Sequence, residues 1–243
     1  MDAMILAAGL GTRLRPITQS LPKALVEVGG VPMLKLVAQR LIAAGATRLI
    51  VNVHHHPQQI IDYIASNAGF GVETHVSDES GELLDTGGAL LQARPLFTRD
   101  APFILHNVDV VTDIDLGAMY RAHVASNALA TLAVMRREAS RYLMFDDDGT
   151  LCGFGNAATG LHREARTPVG QAEHLGFSGV HILDPQVFDL MMETGAFSII
   201  TMYMRLAANH RIAAYRVDES RWIDIGKPEQ LEQARNEHRI TPP

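Results

Sequence analysis

The chain opens on residues suited to holding an anion. In LAAGLGTRLRP, residues 6 to 16, an apolar run passes into Gly9 and Gly11, and Arg13 and Arg15 follow at once; Lys23 comes soon after in PKAL. Between Ala3 and Val26 there is no aspartate or glutamate, although the whole chain carries a net charge of −6. A glycine-rich turn leaving a strand exposes main-chain N–H groups and lets another group approach the backbone closely. A guanidinium adds bidentate donors for phosphate oxygens, and an ammonium adds a point charge. Together these favour a highly charged phosphate chain. Two familiar phosphate loops do not fit. A dinucleotide fingerprint would need a third glycine where Leu14 stands and an acid ending the second strand, where VNVHHH stands. A P-loop would need Ser or Thr after Gly-Lys, and Gly226-Lys227 is followed by Pro228.

Phosphoryl-type transfer asks for an attacking oxygen held in line and for neutralised charge, usually with a divalent metal on carboxylates. Two aspartates are placed for this. FILHNVDVVTDIDL sets Asp109 just past a buried strand, at the carboxyl edge where open α/β sheets bind ligands. WIDIGKP sets Asp224 between Ile223 and Ile225, an expensive place for an unpaired charge. Other acids read as structural: Asp113 and Asp115 form a D-x-D, but they stand where a helix beginning near Leu116 needs a cap, and Asp146 to Asp148 precede Gly149 in a turn. Histidines 54 to 56 would alternate faces of a strand, so no zinc set converges there. Cys152, the only cysteine, has no partner for a disulfide and reads as an inert thiol.

These residues need a scaffold, and the hydrophobic pattern supplies one. Apolar runs at 3 to 8, 48 to 53, 71 to 76 and 102 to 106 predict strands. Helical patterns at 32 to 44, 57 to 67 and 87 to 94 separate them. Such alternation implies a parallel sheet covered on both faces. Further on, the pattern predicts a helix at 115 to 126, a strand at 129 to 135 and a hairpin turning at Asp148-Gly149. A buried strand at 176 to 183 follows, then helices at 185 to 193 and 198 to 209, a strand at 212 to 217 and a helix at 228 to 238. A chain of 243 residues with 47% hydrophobic content can bury one sizeable core, and no repeat or linker divides it. The acidic balance, with no basic run, argues against bulk nucleic-acid binding. The absence of a long apolar segment or leader pattern predicts a cytoplasmic protein with no membrane partner.

LAAGLGTRLRP followed by PKAL resembles the signature of the sugar-1-phosphate nucleotidylyltransferases, and the likeness runs through the chain to WIDIG. The resemblance implies a Rossmann-like three-layer α/β/α fold with a mixed, mostly parallel sheet, the nucleotide-diphospho-sugar transferase fold. It implies one domain over 1 to 243, with a nucleotide half to about residue 115 and a sugar half beyond, and no C-terminal β-helix. The reaction would condense a nucleoside triphosphate with a sugar 1-phosphate, releasing pyrophosphate, with Mg2+ held by Asp109 and Asp224. Ala8, Gly9, Gly11 and Thr12 would cradle the triphosphate, Arg13 would face the leaving pyrophosphate, and Lys23 would bridge the reacting phosphates. Gly87 and Gly88 in ELLDTGGAL would meet the base, although a helix start also explains them. Asn107 would contact ribose or sugar, and Asn156 and Gly179 would line the sugar pocket.

The compact length and the TGGAL loop look most like a short bacterial branch of uridylyl- and guanylyltransferases, which points to UTP or GTP and to a monomer or homodimer. Two departures from the family stand out: Val108 precedes Asp109 where relatives have glycine, and Asn156-Ala157-Ala158 replaces a Glu-Lys-Pro whose lysine holds the sugar phosphate. The lost lysine leaves open a cytidylyltransferase acting on phosphocholine or another phosphorylated alcohol. A silent nucleotide-sugar sensor is the other alternative, disfavoured because Arg13, Lys23, Asp109 and Asp224 are all kept.

Overall fold

A computed structural model describes the backbone of residues 1–240 and the side chains of residues 1–237. Of the expected domain, residues 241–243 lie outside the described part. The first half winds a parallel sheet: β1 (Asp2–Leu6), a small hairpin β2 (Glu27–Val28) and β3 (Val31–Pro32), α1 (Met33–Ala43), β4 (Arg48–Val53), α2 (Pro57–Ser66), β5 (Glu73–Asp78), α3 (Asp85–Ala93) and β6 (Phe103–Asn107). Then come β7 (Val110–Thr112), α4 (Leu116–Ser126), β8 (Ala130–Met135), β9 (Arg141–Phe145), β10 (Leu151–Asn156), β11 (Leu161–Glu164) and β12 (Glu173–Leu183). The chain continues through α5 (Val187–Leu190), α6 (Ile199–Leu206), β13 (Ile212–Arg216), β14 (Trp222–Asp224) and α7 (Pro228–Ile240).

The main sheet runs β11-β10-β9-β12-β6-β1-β4-β5, with β8 beside β12 and β13 beside β8. It is mixed. β5, β4, β1 and β6 are mutually parallel, as helical crossovers require, whereas β12 runs antiparallel to β6, β8 and β9. Strand side chains alternate between two cores. Ala3, Ile5, Leu49, Val51 and Ile104 face α1, α2, α4 and α7, while Met4, Ile50, Phe103 and Leu105 face α3, α5 and α6. The result is the expected three-layer α/β/α sandwich.

Two features of this topology position the chemistry. The chain leaves β1 toward β4 on one side and later returns to β6 on the other, so strand order reverses between β1 and β6. A crevice opens at the carboxyl ends of strands flanking such a reversal. The glycine turn leaves β1 there, and Val108-Asp109 leaves β6 there, tied by the Val108 N–H to Leu6 O bond at 3.1 Å. Separately, β7 and β14 form a two-stranded antiparallel ribbon with Asp224 opposite Val110. The Ile225 N–H donates to Asp109 O at 2.9 Å. Acids far apart in sequence are thereby brought to one end of one ribbon. No helix among the described residues is long and apolar enough to cross a membrane.

Candidate active site

The glycine turn is shaped from below. Gly11 sits at φ +62°, a left-handed conformation that glycine tolerates best, and a β-carbon there would come within 2.8 Å of Thr18 Cγ2. Thr18 Oγ1 donates to Gly11 O at 2.7 Å, fastening the turn. Above Gly9 the space is open, with nothing within 4 Å of a β-carbon built there. Among the described residues, no acceptor takes the main-chain N–H groups of Ala8 to Arg13. Unpaired amides along one turn make an anion-binding concavity. The turn is steadied from behind by a buried chain: Ala7 N–H donates to Asn52 Oδ1 at 2.6 Å, and Asn52 Nδ2 donates to Glu79 Oε1 at 2.7 Å. Glu79 Oε2 accepts from the Leu84 N–H at 3.2 Å. Burial pushes the Glu79 carboxyl above the ordinary range, opposed by those bonds. Sequence reading missed Thr18, Asn52 and Glu79, because nothing local marks them; the pairing of β1, β4 and β5 brings Asn52 and Glu79 behind the turn, and Thr18 comes back to it from a 3-10 turn at Ile17–Gln19.

Lys23 stands in a short 3-10 turn and is buried, with its ammonium aimed at the carboxylates. Nζ lies 2.5 Å from Asp109 Oδ2 and 3.9 Å from Asp224 Oδ1. Asp224 Oδ1 is buried and has no hydrogen-bond partner among the described residues. Burial, and then the neighbouring Asp109 charge, raise the Asp224 carboxyl above its ordinary range, against the pull of Lys23 and Arg13. Arg13 reaches this point across Gly226: a β-carbon on Gly226 would fall 2.6 Å from Arg13 Nη2 and 2.9 Å from Asp224 Oδ1. The glycine of WIDIG is there to let the guanidinium lie against the backbone. Arg13, Lys23, Asp109 and Asp224 thus form one cluster beside the open amides.

The other expected residues divide. Asn107 packs on Gly179, whose β-carbon would come 3.1 Å from Asn107 Nδ2, at φ +78° within an irregular stretch of β12. His106, fully buried and held neutral with its pKa lowered by burial to about 4, donates from Nδ1 to Asn107 O at 2.7 Å. Val108 turns into the core, so no glycine is needed before the acid. Asn156 ends β10, where its Oδ1 accepts from the Ala158 N–H at 3.0 Å. Gly87 and Gly88 are used by the fold itself. Both are buried, their N–H groups donate to Phe197 O at 2.9 and 3.3 Å, and β-carbons there would strike the Phe197 ring and Gly195 O. These small residues seat α3 against residues 195–197.

The competing motifs are occupied elsewhere. Asp115 caps α4, accepting from the Ala118 N–H at 2.8 Å, and Asp113 pairs with Arg221 at 2.8 Å. His54 donates to the carbonyl of Glu79, and His55 and His56 donate to those of Thr18 and Gln19, holding the segment that follows the glycine turn. Burial pushes the Cys152 thiol upward, in keeping with an unreactive cysteine.

Comparison with known proteins converges on the same chemistry. The profile of the family described as Nucleotidyl transferase matches residues 2–239. An N-acetylmuramate alpha-1-phosphate uridylyltransferase from Caulobacter vibrioides is 32% identical over 93% of this chain and 92% of its own. A mannose-1-phosphate guanyltransferase from Schizosaccharomyces pombe is 30% identical over 94% of this chain, which spans 61% of that longer relative. In fold, the chain superposes on UDP-glucose pyrophosphorylase from Acinetobacter baumannii with a TM-score of 0.81 at 20% identity, covering 100% and 94% of the two chains. With an amide-lined turn and a lysine set between converging aspartates, and a family match spanning nearly its whole length, the chain belongs to the nucleotidyl transferase family.

Proposed function

We propose that this protein condenses a nucleoside triphosphate with a sugar 1-phosphate in the cytoplasm, giving a nucleotide sugar and pyrophosphate. The observation that carries the reading is the placement of Lys23 Nζ between Asp109 and Asp224, beside a turn whose amides have no acceptor among the described residues. The names of the relatives support a sugar 1-phosphate acceptor and put UTP and GTP first among donors.

The residues fit a divalent metal. A carboxylate oxygen left buried and unpaired beside a second carboxylate is a hard-oxygen donor set, and magnesium is commonly held by one or two carboxylates plus substrate phosphates. Asp109 and Asp224 would hold magnesium, which when bound would offset charge on the phosphate oxygens. The chain's own groups do the rest. The amides of Ala8 to Arg13 orient the triphosphate, and Lys23 stands where it can neutralise charge at the α-phosphate. An oxygen of the acceptor phosphate attacks the α-phosphorus, the bond to the β-phosphate oxygen breaks, and pyrophosphate leaves toward Arg13. The acceptor oxygen is already anionic, so no protein base is needed; positioning and preorganised charge carry the step.

A pyrophosphate-release screen of four nucleoside triphosphates against a panel of sugar 1-phosphates with magnesium tests this directly. Turnover with at least one pair is the expected result. Release that needs no sugar phosphate, or that occurs only with phosphocholine, would refute the reading.

A further inference from the structure

The neighbouring arginines at the end of β8 are treated very differently. Arg136 is exposed and paired with Glu173. Arg137 is half-buried, and among the described residues it has no carboxylate partner. Its guanidinium lies over the Trp222 ring with Cζ 4.2 Å from the centroid, and Nη2 donates to Phe177 O at 2.7 Å. Gly176 makes room for it: a β-carbon there would fall 2.6 Å from Arg137 Nε. Nε is buried without a hydrogen-bond partner, and Nη1 has none among the described residues. Burial lowers the guanidinium's proton affinity, and the charge that counters this is Asp224.

A cation held rigidly on an aromatic face, partly desolvated and lacking an anion of its own, is costly unless an anion arrives. Trp222 and Asp224 are alternate residues of β14 and so share a face, which puts Arg137 on the same side of the ribbon as the unpaired carboxylate oxygen. Meanwhile, Ala157, where the family resemblance implies an acceptor-binding lysine, is exposed, and its N–H is bonded to Ser140 O at 2.8 Å. We infer that Arg137 binds the phosphate of the incoming sugar 1-phosphate, supplying from the end of β8 the positive charge that Ala157 cannot. This rests on the proposed reaction and names the group that recognises its acceptor. Nη1, with no partner among the described residues, is left to donate to a phosphate oxygen, and the Trp222 stack fixes the plane of the guanidinium.

The test uses the full-length protein with the sugar 1-phosphate and nucleoside triphosphate that the wild type turns over fastest. For Arg137→Met the expected result is a KM for the sugar phosphate raised by about tenfold to a hundredfold, the scale of a lost charge-assisted contact. The KM for the nucleoside triphosphate should stay near wild type. Arg137→Lys, which keeps the charge but not the planar group stacked on Trp222, should fall between wild type and Arg137→Met in acceptor KM; should the methionine variant fail to fold, a lysine variant with wild-type acceptor KM overturns the inference. It is likewise overturned by an unchanged acceptor KM in Arg137→Met, or by both KM values rising together, which would mark a purely structural arginine. A wild type that uses no sugar 1-phosphate at all would instead refute the proposed reaction, and the role of Arg137 with it.

Discussion

The β7–β14 ribbon carries acids at both ends, and the two ends are in opposite states. At one end Asp113 is fully engaged: Oδ1 accepts from the Arg221 N–H and Oδ2 from Arg221 Nε, each at 2.8 Å. Those interactions hold the Asp113 carboxyl below its ordinary range despite some burial. At the other end, a short ribbon's length away, Asp109 and Asp224 face each other across one lysine, and a buried Asp224 oxygen has no partner. The residue type is the same, so the difference lies in the surroundings. The paired acid ties down a loop, while at the other end Asp224 keeps a carboxylate oxygen that no described residue satisfies. Unsatisfied buried polar groups are rare enough in folded proteins that each asks for a reason.

Breaking the open end should have the largest effect. Asp109→Ala or Asp224→Ala is expected to lower pyrophosphate release by about 10³ while leaving far-UV circular dichroism unchanged, on the scale of losing a preorganised charge at the reacting centre. Arg13→Ala removes a group that only approaches this end, across Gly226, and should lower the rate by about 10². The Asp224 carboxyl also predicts a stability effect of unusual sign. Its folded pKa is raised, so the native state binds a proton more tightly than the unfolded chain, and stability falls as pH rises from the ordinary carboxyl value of 3.8 through the folded value. Asp224→Asn is therefore expected to raise the melting temperature at neutral pH by about 2–4 °C, the shift that about 1 kcal/mol gives in a chain of this size, while inactivating the enzyme. At acid pH the gain should vanish. The smallest effect belongs to the closed end: Asp113→Ala should cost less than about 1 kcal/mol, as exposed ion pairs do, and leave turnover unchanged. A large loss of activity there would erase the distinction between the two ends.

The parallel half of the fold was legible because its strands are apolar runs between periodic helices. Arg48–Val53 matches the expected strand to the residue, and the predicted hairpin turns at Gly149 with φ +66°. Polar or very short segments were not. β12 begins at Glu173, earlier than expected, because its polar start pairs with β9. The helix expected over 185 to 193 shrinks to Val187–Leu190, since Met191 is already extended. β7 and β14 are too short to show a period, so the ribbon that joins Asp109 to Asp224 could not be read, even though both acids could. The glycine turn, Arg13 and Lys23 were visible as a charge island against an acidic background. Arg137 was not, because MRRE looks like solvated surface until Gly176 and Trp222 close around one arginine and leave the other outside. Gly87 and Gly88 carry a constraint visible only in the fold, since their smallness also answers to Phe197 and Gly195.

The claim on which all of this depends is that Asp109 and Asp224 act jointly, with metal, on a bound triphosphate. Calorimetric titration of the nucleoside triphosphate into wild type and into Asp224→Asn, each with and without magnesium, addresses it without requiring the acceptor. Magnesium should tighten binding to the wild type by at least about tenfold, roughly 1.4 kcal/mol, and should do little for Asp224→Asn. An Asp224→Asn protein that gained as much from magnesium as the wild type would contradict the account.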